Sequence, residues 1–212
     1  MTTIAQANSV DDVAVFERPR LRAAPTSTID VAAAERAAAD FLRAMGMDLT
    51  DPSLAATPGR MARAYAEFLT PPAMTPTTFP NDAGYDELVL VRDVPFTSLC
   101  EHHLLAFSGI ATVGYLPGPR LLGLSKLARV VDIHSHRPQI QERMTTQIAH
   151  WLDEQLTPRG VGVVLRAEHT CMTLRGVRAH GSTTVTSALL GTVRTDERTR
   201  NEFLALSERS SR

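Results

Sequence analysis

The sequence predicts an α+β fold: an antiparallel sheet with helices on one face, preceded by an N-terminal helical arm. Three observations carry this. Apolar residues recur at helical spacing before residue 70, a proline-rich break follows, and β-rich runs then bracket two further helical segments. The order of elements is helices, then strands, helices and strands.

Residues 1–26 show no sustained periodicity and end in "RPRLRAAPTS", which is expected to be a disordered tail. From Ser27 or Thr28 as N-cap, "IDVAAAERAAADFLRAM" places Val31, Ala34, Ala38, Phe41, Leu42 and Met45 on one side of a helix that Gly46 ends. "LAATPGRMARAYAEFL" repeats the pattern, with Thr57 as a cap, Pro58 in the first turn, and Met61, Ala64, Tyr65 and Phe68 at helical spacing. These form an arm over residues 27–70. Four prolines in "TPPAMTPTTFPNDAG" then predict a linker over 71–84 without regular structure.

The remaining domain, residues 85–212, opens with "ELVLVRDVPF" and "AFSGIATVGYLPG", two strands flanking "SLCEHHLL" in the bend between them. "GLSKLARVVDIH" predicts a helix. Another is expected to open at Pro138, with Ile140, Met144, Ile148, Leu152 and Leu156 every fourth residue along one face. "GVGVVLRAEHTCMTLRG" and "GSTTVTSALLGTV" are β-rich, and a last helical turn falls near "RTRNEFLAL".

Composition narrows the function. Lys plus Arg number 22 against 23 Asp plus Glu, so no bulk basic field is available for nucleic acid or an anionic membrane surface. No stretch approaches a membrane span and the start lacks a signal-peptide pattern, which points to a cytoplasmic protein. In that reducing compartment the two cysteines, Cys100 and Cys171, suit metal ligation or catalysis better than a disulfide.

Both cysteines have histidine companions. Cys100 and His103 are spaced C-x-x-H, and His169 and Cys171 lie two apart on a predicted strand, hence on one face. A lone cysteine is ordinarily a small buried apolar residue. All the sulfhydryl sulfur of the chain beside histidines in two β-rich segments favours a metal instead. Cys100, His103 and Cys171 would give a tetrahedral Zn2+ three ligands and one open position, the pattern of a catalytic site. His102 and His169 are then left as proton carriers. Spacing leaves open a closed structural site with His102 or His169 as the fourth ligand.

Two further groups bear on substrate. Ser125, Lys126 and Arg129 gather at a helix N-terminus, where free N–H groups and the dipole favour an anion; Arg175 follows Cys171 by four residues, and Arg60 and Arg63 lie on the early helix. Solvated helix charges are the plain alternative, and for Arg60 or Arg63 alone the better one. Gln141 and Glu142 occupy the first turn of the long helix, where Glu is also favoured by the dipole. A carboxylate facing a pocket there could accept two N–H bonds, as guanine presents at N1 and N2.

"SLCEHHLLAFSGIATVGYLP", "GLSKLARVV", "RPQIQER", "EHTCMTLRGV" and "TRNEFL", in that order, closely resemble the GTP cyclohydrolase I family, from about Thr57 to the C-terminal helix. The resemblance implies a tunnelling fold assembled as a toroidal homodecamer with active sites shared between subunits. It implies zinc on Cys100, His103 and Cys171, proton transfer by His102 and His169, and guanine held by Gln141 and Glu142. Ser125, Lys126, Arg129 and Arg175, with Arg60 and Arg63, would hold the triphosphate and ribose. The implied reaction adds water to C8 of GTP, opens the imidazole ring, releases formate and recloses the product to 7,8-dihydroneopterin triphosphate, the first step of tetrahydrofolate and pterin synthesis. The chain departs from the family pattern at His134 and His136, in a stretch commonly aromatic and non-histidine, and at Val193, where Phe is usual. The rivals are a non-catalytic pterin- or nucleotide-binding paralogue with structural zinc and a zinc-dependent nucleic-acid module. Retained His102, His169, Glu142 and Arg175 argue against the first. A net charge of −1 and 5% aromatic residues argue against the second.

Overall fold

The computed structural model describes residues 28–208; the tail expected over 1–26 and a cap at Ser27 lie outside them. Helix α1 (Val31–Ala44) is capped by Asp30, whose carboxylate accepts from the Ala33 N–H at 2.9 Å, rather than by Ser27 or Thr28. Helix α2 (Thr57–Phe68) opens with Pro58 near its start, as its lack of a free N–H allows. The two helices pack on each other. Gly59 faces the flexible ends of Glu35 and Arg63, a Cβ there lying 2.9 Å from Glu35 Oε1.

The expected linker is not wholly irregular. Strand β1 (Thr78–Pro80) pairs antiparallel with β4 (Arg120–Leu122), Phe79 opposite Leu121. Its proline closes an edge strand, a position that needs no further ladder donor, so a proline count alone could not exclude it.

The main sheet has the order β5-β2-β3-β6-β7. Strands β2 (Val89–Cys100) and β3 (Ala106–Leu116) are the two expected around the Cys-His bend, and they pair antiparallel down to Leu99 opposite Ala106. Along β2, Val94, Phe96 and Ser98 are buried while Pro95 and Thr97 are exposed, the alternation of a half-covered strand. Strand β6 (Gly160–His169) pairs with β3 and β7 (Thr184–Leu190) with β6, both antiparallel.

Helix α3 (Leu124–Ser135) packs beside β2, and α4 (Gln141–Leu156) lies across β6 and β7. Met144, Ile148, Leu152 and Leu156 are fully buried on one face of α4, as their spacing predicts, each contributing about 1.5–3 kcal/mol of burial. The helix starts at Gln141 instead of Pro138. Pro138–Gln139 form a short strand, β5, parallel to Leu99 and Cys100, and the Glu101 N–H donates to the Gln139 carbonyl at 2.9 Å.

Two expectations are corrected near the chain's end. Strand β6 stops at His169, and residues Thr170–Thr173 form a helical turn, α5, so Cys171 and Arg175 do not share a strand with His169. Helices also do not keep to one face. Val161, Val163 and Leu165 face the core under α3 and α4, whereas Val164 packs with Val193 and Phe203 from α6 (Gly191–Thr195) and α7 (Glu197–Ser207). The ring of Phe203 lies where a Cβ on Gly162 would be, 2.5 Å from its nearest atom. "GVGVVL" is a continuous apolar run because β6 is covered on both sides.

Val193 is wholly buried in that second cluster. His134, in the last turn of α3, is 6% exposed, and neither ring nitrogen has a hydrogen-bond partner among the described residues. Burial, and then the Arg137 charge, push its pKa from 6.5 down to about 4. His136 instead bonds Asp132, its Nδ1 lying 3.2 Å from the carboxylate.

Candidate active site

The bend after β2 folds back on itself. The N–H groups of His103 and Leu104 donate to the Cys100 carbonyl at 3.3 and 2.8 Å, and Leu104 takes a left-handed φ of 52°. Helix α2 holds this bend from outside, since the Tyr65 hydroxyl donates to the Leu104 carbonyl at 3.2 Å. Opposite it, the β3–β6 ladder ends with Phe107 paired to His169, which delivers α5 and Cys171 to the same end of the sheet.

Cys100, His103 and Cys171 meet there, with one donor atom from each lying within 4.8 Å of the others. The two sulfurs are 3.8 Å apart, and Cys100 Sγ is 3.8 Å from His103 Nδ1. Two ~2.3 Å Zn–S bonds at a tetrahedral angle span about 3.8 Å, so the donor set fits zinc in kind and in spacing. Burial, followed by the adjacent Cys100 thiol, pushes the Cys171 thiol up from its ordinary value. A bound dication would reverse that tendency.

His102 and His169 are not among these three donors. His102 is exposed, with Nδ1 4.0 Å from Cys100 Sγ. His169 is half-buried, stacked on Phe107 with ring centroids 4.4 Å apart and planes 4° apart, and its Nε2 is 2.8 Å from Gln141 Oε1. Burial lowers its pKa; the Glu142 carboxylate raises it by a smaller amount.

The other expected site residues divide. Arg175 is exposed in the turn after α5, with Nη1 3.4 Å from His103 Nε2. Glu142 is exposed in the first turn of α4, beside His169. Gln141 is 2% exposed and turned inward, unlike its neighbour. Ser125, Lys126 and Arg129 lie at the start of α3, and their side chains make no hydrogen bond or ion pair among the described residues. Arg60 is engaged at the start of α2, donating to Thr57 Oγ1 at 2.7 Å, while Arg63 is exposed on the same helix.

One group escaped the sequence. Glu101, inside the Cys-His motif, pairs with Arg143 of α4, whose guanidinium also donates to Gln139 Oε1 at 3.1 Å and to the Pro138 carbonyl at 3.0 Å. The hydrogen bond from Arg143 holds the Glu101 carboxyl below its usual range. Gln139 donates in turn to the His134 carbonyl and Gln147 Oε1. The Cys-His bend is thus tied to α4 by side chains as well as by β5. Placement within "CEHH" and "QER" was the available signal, but a charged residue beside a ligand reads equally as solvated.

The fold is α+β, and one end of its sheet gathers a Cys2His donor set with two further histidines beside it. The chain belongs to the GTP cyclohydrolase I family, whose sequence pattern matches residues 34–208. It is 50% identical over 194 residues to GTP cyclohydrolase 1 of Mycobacteroides abscessus, covering 88% of this chain and 94% of that one. It is 51% identical over 180 residues to the Streptomyces avermitilis protein of the same name, covering 82% and 88%. A solved structure of the archaeosine synthase QueF-Like in the apo form aligns over 49% of this chain and 93% of its own, at 18% identity and a TM-score of 0.41.

Proposed function

We propose that this chain hydrolyses GTP at C8, opens the imidazole ring, releases formate and recloses the product to 7,8-dihydroneopterin triphosphate. The observation that carries this is the convergence of Cys100, His103 and Cys171, with His102 and His169 beside them and outside the donor group. Cys100, His103 and Cys171 would hold a zinc ion, which would supply Lewis-acid activation of water at neutral pH.

The protein's own groups do the rest. His102 and His169 hold and move protons, one to N7 as the ring opens and others during the reclosure. The exposed Glu142 carboxylate accepts from guanine N1–H and N2–H. Ser125, Lys126 and Arg129 bring unengaged donors at the α3 N-terminus to the triphosphate, and Arg175 brings a guanidinium beside His103. Arg63 is the freer of the two α2 candidates, because Arg60 already serves Thr57.

The same surface supports the assembly that the family resemblance implies. Leu104, Leu105, Met172 and Leu174 are exposed beside the donor residues in sequence, and we assign them to contacts that complete the site between subunits of a homodecamer of tunnelling-fold chains. The two unpaired thiols suit a reducing cytoplasm. Incubating the purified full chain with zinc and GTP tests the proposal. Stoichiometric formate and a pterin that fluoresces after oxidation are expected; GTP binding without formate release would refute it.

A further inference from the structure

We propose that Gln141 is a positioning residue for His169, fixing the imidazole with its proton on Nε2 and leaving Nδ1 as the nitrogen that exchanges protons with substrate. This rests on His169 being a proton carrier, as set out above.

The proton positions follow from which neighbours can only accept. Gln141 Nε2 lies 3.3 Å from the Leu165 carbonyl and 3.1 Å from the Thr184 carbonyl. Neither oxygen can donate, so the amide NH2 must face them, and Oε1 must face His169. The hydroxyls behind it agree. Thr145 Oγ1 gives its one hydrogen to the Gln141 backbone carbonyl at 2.7 Å, so in the 2.6 Å contact between the two threonines Thr186 is the donor. Thr186 Oγ1 is then left to accept from Gln141 Nε2 at 3.1 Å, sharing one of the two amide hydrogens with a carbonyl.

With Oε1 restricted to accepting, the 2.8 Å contact requires a hydrogen on His169 Nε2. In a neutral imidazole the lone pair then belongs to Nδ1. The parallel Phe107 ring restrains the plane of the imidazole, so the bond to Gln141 sets both tautomer and orientation. Residue 141 is too deeply buried to offer its amide to a base, and Glu142 alone of the pair is placed for guanine.

The test labels the full, zinc-loaded chain with 15N-histidine and records the imidazole nitrogen shifts, with His169→Asn identifying the His169 signals. Wild type is expected to show a protonated Nε2 and an unprotonated Nδ1. Gln141→Met, which fills the space without an acceptor, should mix the tautomers and lower kcat for GTP by ~10²-fold with KM little changed. Thr186→Val, which keeps Gln141 but loosens its amide, should move both readouts the same way by less. A wild-type proton on Nδ1 overturns the proposal, as does a Gln141→Met enzyme with raised KM, retained kcat and unchanged shifts. If Gln141→Met fails to fold, unchanged shifts and kcat in Thr186→Val overturn it equally. Wild-type turnover by His169→Asn would instead sink His169 as a proton carrier, a result distinct from the tautomer that the shifts report.

Discussion

Replacing His134 by Phe should remove an acid-sensitive element of stability. The ring is buried at the end of α3 with both nitrogens unpartnered and Arg137 nearby, and its pKa falls from 6.5 to about 4. The folded state therefore binds fewer protons at this position than the unfolded chain does. Its stability is fully present above pH 6.5, is lost as pH falls from there to about 4, and changes no further below that, where both states are protonated. At ~1.4 kcal/mol per pKa unit, the loss across that window is about 3 kcal/mol. Urea unfolding of both proteins from pH 7.5 to 4, at one protein concentration because an oligomer's stability depends on it, gives the difference curve. Other carboxylates titrate in both proteins and cancel. The advantage of Phe should grow by roughly 3 kcal/mol on acidification; a difference that stays flat between pH 6.5 and 4 would show that His134 is protonated in the fold or solvated there.

Gly162→Ala should cost about 1–3 kcal/mol through collision with the Phe203 ring, and pairing it with Phe203→Leu should recover part of the loss in a double-mutant cycle read by thermal unfolding. Glu142→Gln should lower kcat/KM for GTP much more than for ITP, which lacks the 2-amino group; if Glu142 serves only the helix dipole, both nucleotides will respond equally and stability will fall by ~0.3–1 kcal/mol. Arg175→Ala should narrow the affinity gap between GTP and guanosine by the ~1.5–3 kcal/mol of one charge-assisted contact, measured by calorimetry, and an unchanged gap would leave Arg175 a structural neighbour of His103.

How much was legible depended on how local each signal was. The face of α4 was plain because Met144, Ile148, Leu152 and Leu156 repeat at one period over about three turns. The donor set was legible because a chain with two cysteines offers few ways to hold a metal. What failed needed long-range pairing. Pro138–Gln139 is a strand only because Leu99 and Cys100 lie alongside, and Thr78–Pro80 only because residues 120–122 do. The inward turn of Gln141 depends on carbonyls 24 and 43 residues away, so adjacency to Glu142 could not show that the two side chains turn opposite ways. The two-sided burial of β6 was written in "GVGVVL", but an unbroken apolar run does not say what covers its second face.

That second cover has a consequence for synthesis. Translation completes β6 well before α7, so Val164 and the bare backbone at Gly162 wait for Phe203 to emerge. A strand of high β-propensity with one face unprotected is prone to pairing with other nascent chains. The chain's most aggregation-prone moment is therefore expected between residues 169 and 203, and variants that weaken the Phe203 contact should lower soluble yield more than they lower the stability of whatever protein does fold.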